Sequence, residues 1–306
     1  MSDVICLASW NADLVTRVPR PIARGETLMA SGFSIGPGGK GSNAAIACAR
    51  QGAKVALIAR IGNDDFGRMA LELWAREGID ASRVEVVNGE PSGVAQILVY
   101  DDGDNSIAVA PGAGAGLAAR HANAAAEALG RARVVMASCE VPQAATQAAF
   151  AHARRGGALT LFNPAPAQPL PDALLALCDL LTPNETELRL LAGMPLGTPT
   201  AAAAEALLAR GAGAGAVAVT LGAAGCALFR LGRPALAIAG HTVPVADTIG
   251  AGDTFTGAMA ASLARGEPIE AALAWANAAA AMSVGAHGAI TGMPGLDAVR
   301  ALLALH

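Results

Sequence analysis

Apolar runs of strand length alternate along this chain with stretches in which apolar residues return every three or four positions. Residues 4–9, 55–61, 134–139, 159–162, 180–182 and 217–221 form the runs, and each reads as a core strand. Helices are expected over 42–51, 65–77, 143–154, 185–192, 200–210, 253–264 and 269–284. After Asp65, for example, Met69, Leu73 and Trp74 recur at helical spacing while Glu72, Arg76 and Glu77 fall elsewhere, giving a core stripe and a solvated face. Strand and helix in alternation predict βαβ units around a mainly parallel sheet. Two stretches break the pattern. Residues 26–35 and 92–110 mix polar and apolar positions as extended chain does, the second folding about the turn Asp101-Asp102-Gly103-Asp104. They predict a small β-sheet lid, with segments near 10–37 and 90–112 inserted in one α/β domain spanning 1–306.

Composition narrows the function classes. Hydrophobic residues make up 53% of the 306 and charged residues 15%, so a large core can offset chain entropy and disorder is excluded. With aromatics at 3%, that core is built from Ala, Val, Leu and Ile. A net charge of -4 and the lack of a basic stripe leave no footprint for nucleic acid. The five cysteines, Cys6, Cys48, Cys139, Cys178 and Cys226, are scattered without a C-x-x-C pair, which argues against a disulfide framework or structural zinc and for a reducing cytoplasm. The N-terminus has no basic n-region and reads as a buried strand, not a signal peptide. Residues 271–296 contain no Asp, Glu, Lys or Arg. They are nonetheless alanine-rich and interrupted by Asn277, His287, glycines and Pro294, so a buried helix and loop are expected, and no membrane span.

Three clusters carry chemistry. Asp247-Thr248-Ile249-Gly250-Ala251-Gly252-Asp253-Thr254-Phe255 leads into an alanine-rich helix, where glycines let backbone N–H groups meet an anion at a helix N-terminus. Asp253 there reads in two ways. It is either a helix cap or a general base that takes a proton from a substrate hydroxyl while the amides of Ala251 and Gly252 neutralise a transferring phosphoryl group. The second cluster is Gly36-Pro37-Gly38-Gly39-Lys40-Gly41-Ser42-Asn43. It matches G-x-G-x-x-G, but the next strand ends in Arg60-Ile61-Gly62 and not in the acid that a dinucleotide site needs; Gly41 after Lys40 also rules out a P-loop. A Lys and an Asn beside exposed backbone suit a polyhydroxylated ligand. The third cluster, Thr182-Pro183-Asn184-Glu185-Thr186-Glu187, has the form of a capping box and by itself requires no ligand. Beside phosphates, its Asn and acid could organise hydrated magnesium. Asn11 and Asp13 follow the first strand, where open α/β sheets bind ligands.

Together these residues resemble the ribokinase-like (PfkB) family of carbohydrate kinases along essentially the whole chain. Gly38 to Asn43 with Gly62-Asn63-Asp64-Asp65-Phe66-Gly67 is similar to the family's N-terminal signature, and Asp247 to Phe255 to its C-terminal one. The likeness is greatest to the ribokinase branch, through Asn11-Ala12-Asp13, Asn163-Pro164-Ala165-Pro166-Ala167 and the Thr182 to Glu187 string. The resemblance implies a three-layer α/β/α body with a mainly parallel sheet and a small β-sheet lid. It also implies transfer of the γ-phosphoryl group of ATP to the primary hydroxyl of a sugar, D-ribose to ribose 5-phosphate. Carried over by position, it makes Asn11, Asp13, Gly39, Lys40, Asn43 and Glu140 sugar contacts and Asp253 the base, with Gly250, Ala251 and Gly252 as its anion hole. Asn184, Thr220, Gly222, Gly225, Gly252 and Asn277 would line the nucleotide site, and Glu187 would act on Mg2+ indirectly. Asp247, Ile249, Ser283, Ala286, Gly288 and Gly292 match a loop that holds an activating K+. His287 beside that loop reads as incidental. The resemblance further implies a homodimer formed through the lids.

Departures touch the substrate and the cation. Ser42 and Ala44 stand where many ribokinases have Ala and Gln, and residues 285–292 lack the usual basic residue and serine. Other acceptors within the family therefore stay open: a nucleoside, a fructose phosphate, 2-keto-3-deoxygluconate or deoxyribose. A silent sugar or nucleotide sensor is the rival from outside enzymology, and the intact Asp253 and glycine cradle speak against it.

Overall fold

The computed structural model describes residues 2–210 and 215–305. Nine strands form the main sheet in the order β13-β12-β11-β10-β9-β8-β1-β4-β5. They are β1 (Val4–Leu7), β4 (Val55–Gly62), β5 (Asp80–Val87), β8 (Val134–Ser138), β9 (Leu159–Asn163), β10 (Leu180–Leu181), β11 (Ala216–Thr220), β12 (Cys226–Arg230) and β13 (Leu236–Ile238). From β11 to β5 every neighbouring pair is parallel, and β12 and β13 extend the edge antiparallel. Period-two alternation sends Val4 and Cys6 to one core and Ile5 and Leu7 to the other, so both faces of the sheet are covered. One helical layer comprises α1 (Lys40–Arg50), α2 (Asp65–Arg76), α9 (Ala251–Ala264), α10 (Ile269–Ser283) and α11 (Leu296–Leu303). The opposite layer holds α3 (Ala119–Ala124), α4 (Ala126–Arg131), α5 (Gln143–Gly156), α6 (Asp172–Leu175), α7 (Glu185–Leu191) and α8 (Thr200–Ala209).

A second sheet stands apart from the first, in the order β3-β2-β6-β7. Its strands are β2 (Asn11–Arg17), β3 (Gly32–Gly38), β6 (Gly93–Val99) and β7 (Asn105–Ala110). The roots of β6 and β7 are pinned to the end of β4. Asp64 caps α2 at the Gly67 amide (2.8 Å) and also accepts from both the amide and the hydroxyl of Ser92 (2.7 Å each). Arg60, with its side chain 8% exposed, donates to Glu85, to both oxygens of Glu90 and to the Ala113 carbonyl.

The strands and helices expected from periodicity all form, with ends displaced by a residue or two, as is usual at frayed termini. Between residues 26 and 35 strand structure begins only at Gly32, because β2 offers seven residues and its pairing with β3 ends at Arg17 opposite Gly32. The periodic signal missed β2, β5, β12, β13, α3, α4, α6 and α11, which are short, at an edge or largely exposed. The charge-free stretch after residue 271 is the end of α10 followed by a loop, and among the described residues no helix is long and apolar enough to cross a membrane.

Helices α1 and α9 pack at backbone distance. A Cβ at Gly257 of α9 would lie 2.2 Å from the Ala44 carbonyl oxygen and 2.8 Å from the Ala47 side chain on α1. Gly257→Ala is therefore expected to destabilise the protein by about 1–3 kcal/mol through overpacking. Urea denaturation of the two forms measures it; an unchanged midpoint would mean that the helices can separate without cost.

Candidate active site

The chain leaves β1 and turns through Ala8, Ser9 and Trp10 into β2, while β3 runs directly into α1. The two paths cross at Gly39, whose φ is +91° and whose Cβ would lie 2.7 Å from the Ser9 carbonyl oxygen, so only glycine fits. That approach makes Ser9 a hub. Its carbonyl accepts from the Ser42 amide (3.1 Å), its hydroxyl accepts from the Gly41 amide (3.1 Å), and the hydroxyl donates to Glu140 Oε2 (2.7 Å). The same carboxylate oxygen accepts from the Lys40 amide (2.9 Å). Asn11 and Asp13 on β2, Lys40 and Asn43 on α1 and Glu140 after β8 are thus gathered at the carboxyl ends of β1 and β8. Sequence reasoning passed over Ser9, although its place at a strand's carboxyl end was the available signal.

Asp253 is not a helix cap. Gly250, at φ +79°, occupies the cap position of α9, and Asp253 lies in the first turn with its carboxylate accepting from Asn43 Nδ2 at 2.9 Å. Gly250 has left-handed backbone and packs on the Ala289 carbonyl, where a Cβ would lie 2.3 Å away, and α9 begins at the next residue, two earlier than expected. The amides of Gly252 and Asp253 make no backbone hydrogen bond, and Gly252 faces open space. Unpaired first-turn amides at the positive end of a 14-residue helix form a cradle for an anion.

Charge is concentrated on this side of the cleft. Burial pushes the Asp253 carboxyl up to about 6; the Lys40 ammonium and the Asn43 hydrogen bond oppose the shift, and the charges of Glu140 and Glu187 add to it. Asp13 is pushed up to about 7, by burial first and then by Glu140 and Asp253, again against Lys40. Lys40 is held more firmly protonated than usual, chiefly by Asp253. Three buried side-chain atoms have no partner among the described residues, Trp10 Nε1, Thr146 Oγ1 and Asn43 Oδ1, and the last belongs to this cluster. Asn43 Oδ1 is buried without a partner, which is costly unless a bound hydroxyl supplies the donor.

Beyond Gly252 the cleft opens into a cavity of about 450 Å3 lined by Thr220, Gly222, Gly225, Gly252 and Asn277, with His241, Val243 and Phe255 among its walls. Asn184 is not among the lining residues. It caps α7 in a reciprocal box with Glu187 (2.8 and 2.9 Å), next to Thr220 through a backbone bridge. Glu187 stays near enough to bear on both Lys40 and Asp253. On the far side of the same loop, Asp247 accepts from the Ile249 amide (3.0 Å) and the Gly288 amide (2.9 Å), and Gly292 lies against the Ser283 carbonyl. The amides of Ala246 and Asp247 bond to the Val284 carbonyl, so the segments before α9 and after α10 are stitched together, with Ala286 and His287 in the second. No three His, Cys, Asp or Glu side chains cluster as metal ligands among the described residues. A cation in the Asp247 loop would therefore rest mainly on backbone carbonyls. The donors around Glu187 suit a hydrated magnesium carried on phosphates better than a dedicated protein cage. Another cavity, about 490 Å3 beside Ser2, Asp80, Arg83 and Arg131, shares no residue with this cluster.

The model of the pfkB family carbohydrate kinases matches residues 1–296. A ribokinase of Haemophilus influenzae is 38% identical over 288 residues, covering 94% of this chain and 94% of that protein. A deoxyribokinase of Salmonella typhi is 34% identical over 307 residues, covering 99% of each. The structure of Arabidopsis thaliana ribokinase complexed with ribose and ATP superposes with a TM-score of 0.92 at 32% identity, covering 99% of this chain and 98% of that one.

The Asp253 shift carries a stability consequence. Its carboxyl rises from 3.8 to about 6 on folding, so its contribution is fully present below about pH 4 and lost as pH rises through about 6. Asp253→Asn, which removes the buried charge, is expected to raise Tm at pH 8 and to change it little at pH 4, as read by calorimetry. A lower Tm at pH 8 would show that attraction to Lys40 outweighs burial.

Proposed function

The chain belongs to the pfkB family of carbohydrate kinases, and from that membership we propose that it transfers the γ-phosphoryl group of ATP to the primary hydroxyl of D-ribose, giving ribose 5-phosphate. One observation carries the reading. The buried Asp253 carboxylate stands at the first turn of α9, bonded to Asn43 and next to the unpaired amide of Gly252, a residue that lines the cavity of about 450 Å3.

In this reading Asn11, Asp13, Gly39, Lys40, Asn43 and Glu140 hold the sugar hydroxyls, and the free Asn43 Oδ1 accepts from one of them. Asp253 takes the proton of the attacking hydroxyl. Its raised pKa makes it a better base near neutrality than an ordinary carboxylate and leaves it ionised above about pH 6. The unpaired amides of Gly252 and Asp253 face the charge that spreads over the phosphoryl oxygens, with Gly250 and Ala251, whose own amide is bonded to the Thr248 carbonyl, setting their direction. ATP lies along Thr220, Gly222, Gly225, Gly252 and Asn277, with Asn184 at its edge. Magnesium, when bound with the nucleotide, neutralises phosphate charge, and Glu187 is the carboxylate placed to hold its water shell. Asp247, Ile249, Ser283, Ala286, Gly288 and Gly292 would hold K+, and so stiffen the loop that carries Gly250.

The small sheet acts as a lid over the sugar and excludes water from the transfer. Its exposed Phe33, Ile35, Ile107 and Val109 fit a homodimer formed through the lids. Five buried free thiols fit a reducing compartment, the cytoplasm.

ADP release in the presence of ATP, magnesium and a panel of ribose, deoxyribose, fructose, 2-keto-3-deoxygluconate and adenosine tests the assignment. Ribose is expected to give the highest kcat/KM; a win for deoxyribose would move the acceptor while keeping the chemistry. Asp253→Asn should lower kcat by roughly 10²–10⁴-fold with sugar binding retained, and the wild-type rate should fall as pH drops below about 6. Replacing Na+ by K+ should raise the rate. Equal rates in the two salts would make the Asp247 loop purely structural.

A further inference from the structure

Ser42 lies on α1 between Lys40 and Asn43, and it is fully buried. At 100° per residue its side chain leaves the helix roughly 130° from the mean direction of those two neighbours. There it accepts the indole N–H of Trp74 on α2 at 2.8 Å. Trp74 is fully buried and stands edge-on to Trp10, with ring centroids 5.7 Å apart and planes at 76°. Trp10 separates Ser9 from Asn11, and three backbone segments meet on it. A Cβ at Gly39 would lie 2.9 Å from its Cα, one at Gly93 would lie 2.5 Å from its carbonyl oxygen, and β2 begins at the next residue.

We propose that Trp74 is a positioning residue for the acceptor half of the site. Through Ser42 it sets the rotation of α1, and hence the aim of Lys40 and Asn43; through Trp10 it seats the turn that presents Asn11. The assignment rests on the sugar-kinase reading and adds to it a device that touches neither substrate. The hydrogen bond is the specific part. Phenylalanine could fill the same space and keep an edge-on ring, but only an indole N–H finds the Ser42 hydroxyl, and losing that bond shifts the start of α1 by the small amount that its packing on α9 permits.

The test is a double-mutant cycle of Ser42→Ala and Trp74→Phe, read by KM for the sugar, KM for ATP and kcat, well below the melting temperature of each variant. Each single change is expected to raise sugar KM roughly tenfold. KM for ATP and kcat at saturating sugar should stay close to wild type, and the double variant should be no worse than either single one, because all three lose the same bond. If Tm falls while sugar KM stays put, the pair is packing alone and the proposal fails. Equal damage to both KM values and kcat would overturn it as well, since it would show general loosening. A wild-type protein that phosphorylates no sugar would instead sink the kinase reading, a result distinct from active variants with unaltered sugar KM.

Discussion

Helices α1 and α9 come from opposite ends of the chain and touch at backbone distance, and the candidate site exists because they do. Asn43 and Asp253 are 210 residues apart in sequence and 2.9 Å apart in space. A side chain at Gly257 would drive the helices apart, and the small residues Ala44 and Ala47 opposite it leave no slack to absorb the change. The alanine-rich composition thus has a mechanical meaning. Small side chains permit close helix packing, and close packing lets two short polar side chains meet in the interior.

What meets there is electrostatically costly. Asp13, Glu140, Glu187 and Asp253 bear on one another with Lys40 as the common cation, and burial holds two of the carboxyls well above their ordinary range. Such an arrangement is unfavourable for folding and useful for proton transfer, since a base poised near neutrality both ionises and accepts. Asn43 shows the same logic. One end of its amide is committed to Asp253 and the other has no partner in the protein, an incomplete polar arrangement that a bound hydroxyl completes.

Other elements act as supports. Ser9 links β1, α1 and Glu140 through one hydroxyl and one carbonyl, and Asp64 and Arg60 tie the small sheet to the end of β4. The reciprocal capping of Asn184 and Glu187 fixes the start of α7 at the edge of the larger cleft. A single carboxylate can thus terminate a helix and still contribute to the field at Lys40, so a structural and a functional account of Glu187 are compatible.

The sequence alone determined the central strands, the principal helices and the parallel sheet, because strands buried on both faces and helices with one buried stripe leave strong periodic signals. It also determined the glycine-rich approach to α9 and the candidates Asp253, Lys40 and Asn43, since those residue types at a helix start have few other uses together. The exposed edge strand β5 left a weaker signal, for its polar residues face water as loop residues do, and β13 is only three residues long; the buried apolar run Cys226–Phe229 of β12 was legible and passed over. Only the tertiary structure decided that Asp253 bonds to Asn43 instead of capping its helix, that Ser9 is the hub beneath Glu140, and that Ser42 answers Trp74. Each of these depends on which backbones approach to within a hydrogen-bond length across distant parts of the chain. Local periodicity carries no record of that distance; it is set by packing.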